Sequence, residues 1–163
     1  MQKLVVLNTR EKRKIIDALA ELYGFSGKIE GAFFVSTKQK IFLLPPDIAM
    51  LDKNEERALR IDKAGLYIGR VEEAGGIRLS IEGSQIIGPH SSKHVLEIDE
   101  EHLEPWVKGE DFTLSENEAK QVGDEHGFFI IKFQKDFLGC GQVKNNNLRS
   151  LVSKDRRLKV LNR

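Results

Sequence analysis

The chain has one cysteine, one tryptophan, four histidines and no apolar stretch near the roughly 20 residues of a membrane span. A lone cysteine, Cys140, excludes an internal disulfide framework and leads us to expect a reducing, cytoplasmic compartment. The start, with Lys3, lacks the apolar core of a secretory signal, so no membrane partner is expected. Catalytic patterns are equally scarce. Neither a Walker loop nor a strand–GxGxxG–helix unit occurs; "GSQIIG" and the glycine pair Gly75–Gly76 do not substitute for them, and no nucleotide cofactor is expected. His90 and His94 are four apart, but Gly88 and Pro89 make that segment a loop without cysteine ligands, so no metal is expected. His102 and His126 lie among acidic residues and read as surface groups. Cys140 stands between Gly139 and Gly141 with no histidine nearby in sequence, which suits a small packed thiol better than a nucleophile. Runs such as Asp99–Glu100–Glu101 read as a solvated helix start rather than an acid–base pair. The expectation is a protein that is not an enzyme.

What the chain does have is segregated charge. Apolar residues make up 40% and charged ones 31%, a soluble globular balance, and the net charge is only +1. Yet from Gly139 onward Lys144, Arg149, Lys154, Arg156, Arg157, Lys159 and Arg163 stand against Asp155 alone. Between Glu97 and His126 the balance reverses, with eleven carboxylates against Lys108 and Lys120. A smaller basic cluster, Arg10–Lys14, opens the first helix. A local positive field attracts polyanions even on a nearly neutral protein, and the planar fork of arginine suits bidentate phosphate contact. The alternative reading of each run is a solvated face, and for the acidic stretch that reading is preferred.

Local signals give a coarse architecture. Asn8 and Glu11 form a capping box before Ile15, Ile16, Leu19, Leu22 and Tyr23 at helical spacing, and Gly24 supplies the stop. Ala32–Val35 and Lys40–Leu44 read as paired strands, with Pro45–Pro46 ending the second and a short helix through Ile48–Leu51. "GLYIGRVE" and "GIRLSIEG" read as a second strand pair, and a polar loop near Gly88–Pro89 suits a boundary. Beyond it come the strand "KHVLEID", a short acidic helix or turn closed by Gly109, the strand "FTL" and the acidic connection "SENEAKQVGDEHG". The apolar strand "FFIIKF", the strand "FLGCGQV", a hairpin tip at Asn145–Asn147 and one or two closing strands complete it.

"PWVKGEDF", "GFFIIKFQKDFLGCGQV" and "SKDRRLK", in that order, resemble a PUA domain, a small RNA-binding β-barrel. "FLLPPDIAML", "KAGLYIGRVEEAGGIRLSI" and "GSQIIGP" are similar to the pre-PUA domain of two groups: the Nip-seven ribosome-biogenesis factor and the C-terminal extension of Nol/Nop/Sun-type cytosine-C5 RNA methyltransferases. The resemblance implies an α+β protein with an α/β pre-PUA domain at residues 1–90 and a mixed-β PUA pseudo-barrel at residues 91–163. It implies an RNA-binding role, on ribosomal RNA or tRNA, through Lys144, Arg149, Lys154, Arg156, Arg157 and Lys159. Gly109, Gly139 and Gly141 would shape the barrel, where a side chain would obstruct close packing. No methyltransferase domain is expected, and Cys140 is not in a Pro-Cys or Thr-Cys motif. The implied protein partner is a ribosome-assembly component or an RNA methyltransferase; an adaptor that holds such a partner without touching RNA is the second expectation.

Overall fold

The computed structural model describes residues 4–44 and 65–159. Its first sheet has the order β1-β2-β3-β4-β5, every neighbouring pair antiparallel. The strands are β1 (Leu4–Val6), β2 (Ala32–Ser36), β3 (Lys40–Leu44), β4 (Leu66–Val71) and β5 (Ile77–Leu79). Helix α1 (Thr9–Tyr23) starts at the expected capping box, where the Asn8 side chain accepts from Glu11 N–H and Glu11 accepts in return from Asn8 N–H. It ends where Gly24 takes the left-handed conformation at φ 60°. The expected helix through Ile48–Leu51 lies outside the described residues.

The second sheet runs β6-β8-β9-β10-β7: β6 (Val95–Glu97), β7 (Phe112–Thr113), β8 (Gly127–Phe133), β9 (Asp136–Lys144) and β10 (Asn147–Ser150). Only the β6–β8 pair is parallel. Asn145 and Asn146 both have positive φ, 50° and 62°, the geometry of a two-residue hairpin turn that asparagine tolerates.

Two helices differ from the expected strands and loops. "GIRLSIEG" is a strand only as far as Leu79. Ser80 then caps α2 (Ile81–Ile87), its hydroxyl accepting from Gly83 N–H at 2.9 Å. α2 packs so closely on β4 that a Cβ at Gly83 would stand 1.9 Å from the Ile68 carbonyl oxygen. The acidic connection contains α4 (Glu116–Val122), opened by a Ser115–Glu118 capping box that the sequence carries in plain sight. Between them lies α3 (Glu100–Lys108), closed by left-handed Gly109 as expected.

One core gathers Leu19 and Tyr23 of α1, Phe33, Ile41, Ile68 and Ile77 of the first sheet, Ile87 of α2, and Ile130 and Cys140 of the second sheet. A second core, under α3 and α4, holds Leu96, Trp106, Val122, Phe129, Ile131, Val143 and Leu148. Tyr23 bridges the elements of the first: its hydroxyl donates to the Ile77 carbonyl at 2.5 Å and lies 3.8 Å from Cys140 Sγ. Burial pushes the Cys140 thiol up to about 11, with the nearby Leu79 backbone and Tyr23 pulling weakly the other way. The folded state therefore favours the neutral thiol. The associated stability is fully present below the ordinary thiol value of 9.0 and is lost as the pH rises towards 11. A thiol reagent such as DTNB at pH 7.5 is expected to leave the native protein unlabelled and to label it fully in denaturant. Rapid native labelling would contradict the buried placement.

Candidate nucleic-acid interface

The six expected cations occupy two stations. Lys144 ends β9 and Arg149 lies on β10, both exposed. The register pairs Lys144 with Asn147 and Gln142 with Arg149, so strand alternation puts these four side chains on the same face of one hairpin. Leu148 and Ser150, the intervening residues of β10, are buried. A cavity of about 460 Å³ opens beside Lys144, floored by Leu114, Val122 and Val143 and rimmed by His126 and Asn146.

The second station is the chain beyond β10. It closes in a 3-10 turn, Lys154–Arg156, rather than in a strand over these residues. Leu158 N–H donates to the Val107 carbonyl at 2.8 Å, which ties the segment to the end of α3. Lys154, Arg156 and Lys159 are exposed. Arg156 Nη1 also donates to Glu82 Oε1 of α2 at 2.6 Å, with side chains 45% and 27% exposed, a pair of the kind that contributes little. Within the turn, a hydrogen bond from Ser153 holds the Asp155 carboxyl below its ordinary range, so a negative charge persists among the cations.

Arg157 is different. Its Nε donates to the Val152 carbonyl at 3.0 Å, and its guanidinium covers Gly109 so closely that a Cβ there would stand 2.2 Å from Nε. The left-handed C-cap (φ 75°) favours glycine at 109, and any side chain there would displace the guanidinium. Arg157 thus braces the C-terminus of α3, where a positive charge is also favoured by the helix dipole. The other two glycines serve Trp106, which is 1% exposed. A Cβ at Gly141 would meet Leu148 at 2.6 Å and Trp106 at 3.1 Å, and one at Gly139, where φ is 121°, would meet Ile81 at 3.4 Å and Trp106 at 3.6 Å. The indole Nε1 donates to the Leu138 carbonyl at 3.3 Å. A side chain at Gly141 would press on Leu148 and Trp106, whereas at Gly139 the contacts are ordinary and the positive φ is what favours glycine.

The acidic stretch is only partly a solvated face. Glu118 is fully buried, and its oxygens accept from the backbone N–H groups of Asp99 and Ser115, each at 2.8 Å. His102 is not the surface group that its acidic neighbours suggested. Its Nδ1 lies 2.7 and 2.8 Å from the two Glu118 oxygens, and its ring stacks on Phe112 at 4.1 Å. Asp99 in turn bonds the Ser115 hydroxyl and the Asn117 amide, contacts that hold its carboxyl below the usual range. These carboxylates join the start of α3 to the start of α4.

Residues 93–158 match the family model for the methyltransferase RsmF PUA domain. They form a PUA domain. The match contains all of β6 to β10, both helices of the second core, the three glycines, and every candidate cation except Lys159. A search of curated proteins finds no match for the chain. Within the matched residues the exposed candidate cations sit on one hairpin and on one closing turn, while Lys93, Lys120 and Lys135 are exposed elsewhere. Among the described residues, no helix is long and apolar enough to cross a membrane.

Proposed function

We propose that this protein binds RNA without catalysing a reaction on it, acting on ribosomal RNA during processing or assembly. The reading is carried by the PUA match together with the outward-facing cations of the hairpin, Lys144 and Arg149, and of the closing turn, Lys154, Arg156 and Lys159. PUA domains generally bind RNA. The matched family is named for a methyltransferase, which favours a role as an RNA-holding unit working beside such an enzyme. Lysine and arginine side chains on exposed positions neutralise phosphates and release counterions, so affinity is governed more by charge and shape than by base sequence.

The test is fluorescence anisotropy of the wild-type protein with a short U-rich single strand and with a structured ribosomal fragment, over a salt series. If four or five phosphates are neutralised, log affinity falls against log salt with a slope of about −3. Absence of binding to either RNA at moderate salt, from folded protein, would defeat the proposal and favour the adaptor reading.

A further inference from the structure

The first sheet carries a second concentration of charge that the sequence reading did not single out. Strands β3, β4 and β5 lie side by side, and their register places Lys40 opposite Arg70 and Arg70 opposite Arg78. Ile41, Ile68, Ile77 and Leu79 of the same strands enter the core, so these three cations project from the opposite face. Pairing shifts between Ile41 and Phe42: Ile41 opposes Gly69, but Phe42 opposes Tyr67, leaving Ile68 as an extra residue. This bulge lets Tyr67 and Arg70, three positions apart, share a face that regular alternation would deny them. The Phe42 and Tyr67 rings are 5.6 Å apart, and Lys40 Nζ stands 5.5 Å from the centre of the Tyr67 ring. Burial raises the Tyr67 phenol, with Arg78 and Arg70 pulling it the other way and Glu72 adding to the rise.

Like charges directly across neighbouring strands are destabilising. Here the compensation is incomplete. Glu72 is the one carboxylate that the structure pairs with them, its Oε1 standing 3.4 Å from Arg78 Nε, and that oxygen and Arg70 Nε are both buried without a hydrogen bond among the described residues. The planar fork of arginine matches a phosphate, and an aromatic pair beside it offers a stacking surface for a planar base.

We propose that this face is a second contact for single-stranded RNA, with a backbone phosphate against Arg70, Lys40 and Arg78 and a base against Tyr67 and Phe42. It rests on the RNA-binding reading but uses none of the PUA cations. An RNA strand holding both surfaces would gain affinity from two sites on one chain.

The full chain is titrated with a short fluorescent U-rich strand over a salt series, as wild type, as Lys40→Gln/Arg70→Gln and as Lys154→Glu/Arg156→Glu/Lys159→Glu. Wild type is also photocrosslinked to the same strand containing 4-thiouridine, which locates contacts without a substitution that could disturb folding. The sheet variant is expected to bind about tenfold more weakly. Its salt slope is expected to be shallower by about 1.4, with a crosslink on Tyr67 or Phe42. Wild-type affinity and slope in the sheet variant, with crosslinks confined to residues 144–159, would overturn the inference and leave the PUA interface standing. Loss in the sheet variant but not in the PUA variant would uphold the inference and displace the PUA cations. Wild-type RNA affinity in the sheet variant, coupled with loss of its binding to polyglutamate, would overturn the RNA assignment in favour of an acidic protein partner.

Discussion

Glu118→Ala is expected to destabilise the protein by about 4 kcal/mol and to lower its thermal midpoint by about 10 °C, because removing the buried carboxyl group strands the buried groups that bond to it. The carboxylate is fully buried and accepts from Asp99 N–H, Ser115 N–H and His102 Nδ1. Without it, two backbone donors and an imidazole lose their acceptor at once, and the starts of α3 and α4 lose their common tie. Glu118→Gln is the informative control. It keeps one acceptor oxygen but turns an amide NH₂ towards groups that are themselves donors, so it should recover only part of the loss. Differential scanning calorimetry would measure both. A shift under about 2 °C for the alanine variant would mean the buried carboxylate contributes little to folding.

Lys154→Glu/Arg156→Glu/Lys159→Glu is expected to weaken RNA binding by about 30- to 1,000-fold, equivalent to about 2–4 kcal/mol of lost charge-assisted contacts. All three side chains are exposed, so reversal should spare the fold. Arg156 must first leave Glu82, but an exposed pair of this kind holds it by no more than about 1 kcal/mol. Arg157 is deliberately kept. Its guanidinium covers Gly109 and its Nε bonds the Val152 carbonyl, so its replacement would confound loss of an RNA contact with displacement of α3. Anisotropy beside circular dichroism separates the two. Undiminished affinity in a folded triple variant would remove the closing turn from the interface.

Much of the local architecture was legible because it is written in short-range chemistry. The Asn8–Glu11 capping box, the left-handed stops at Gly24 and Gly109, and the Asn145–Asn146 turn each depend on a few neighbouring residues. The Ser115–Glu118 box was equally available, yet the density of charge around it suggested a solvated connection rather than a helix. For α2, the apolar alternation of "GIRLSIEG" imitates a strand. It becomes a helix because Ser80 caps it and because Gly83 permits contact with the β4 backbone, which only the folded sheet presents.

The candidate site divides in the same way. Composition and order along the chain already record where positive charge accumulates, which glycines flank Cys140, and that the PUA pattern lies in the second half. Tertiary structure alone decided that Arg157 braces a helix while Arg156 stays exposed, because both follow one another in sequence and differ only in what lies beside them. It decided that His102 meets a buried Glu118 sixteen residues away. It also decided that Lys40, Arg70, Arg78 and Tyr67 share one face, through strand register and a single-residue bulge. Register is a long-range property: one extra residue in a strand changes which side chains meet, and no local pattern records it.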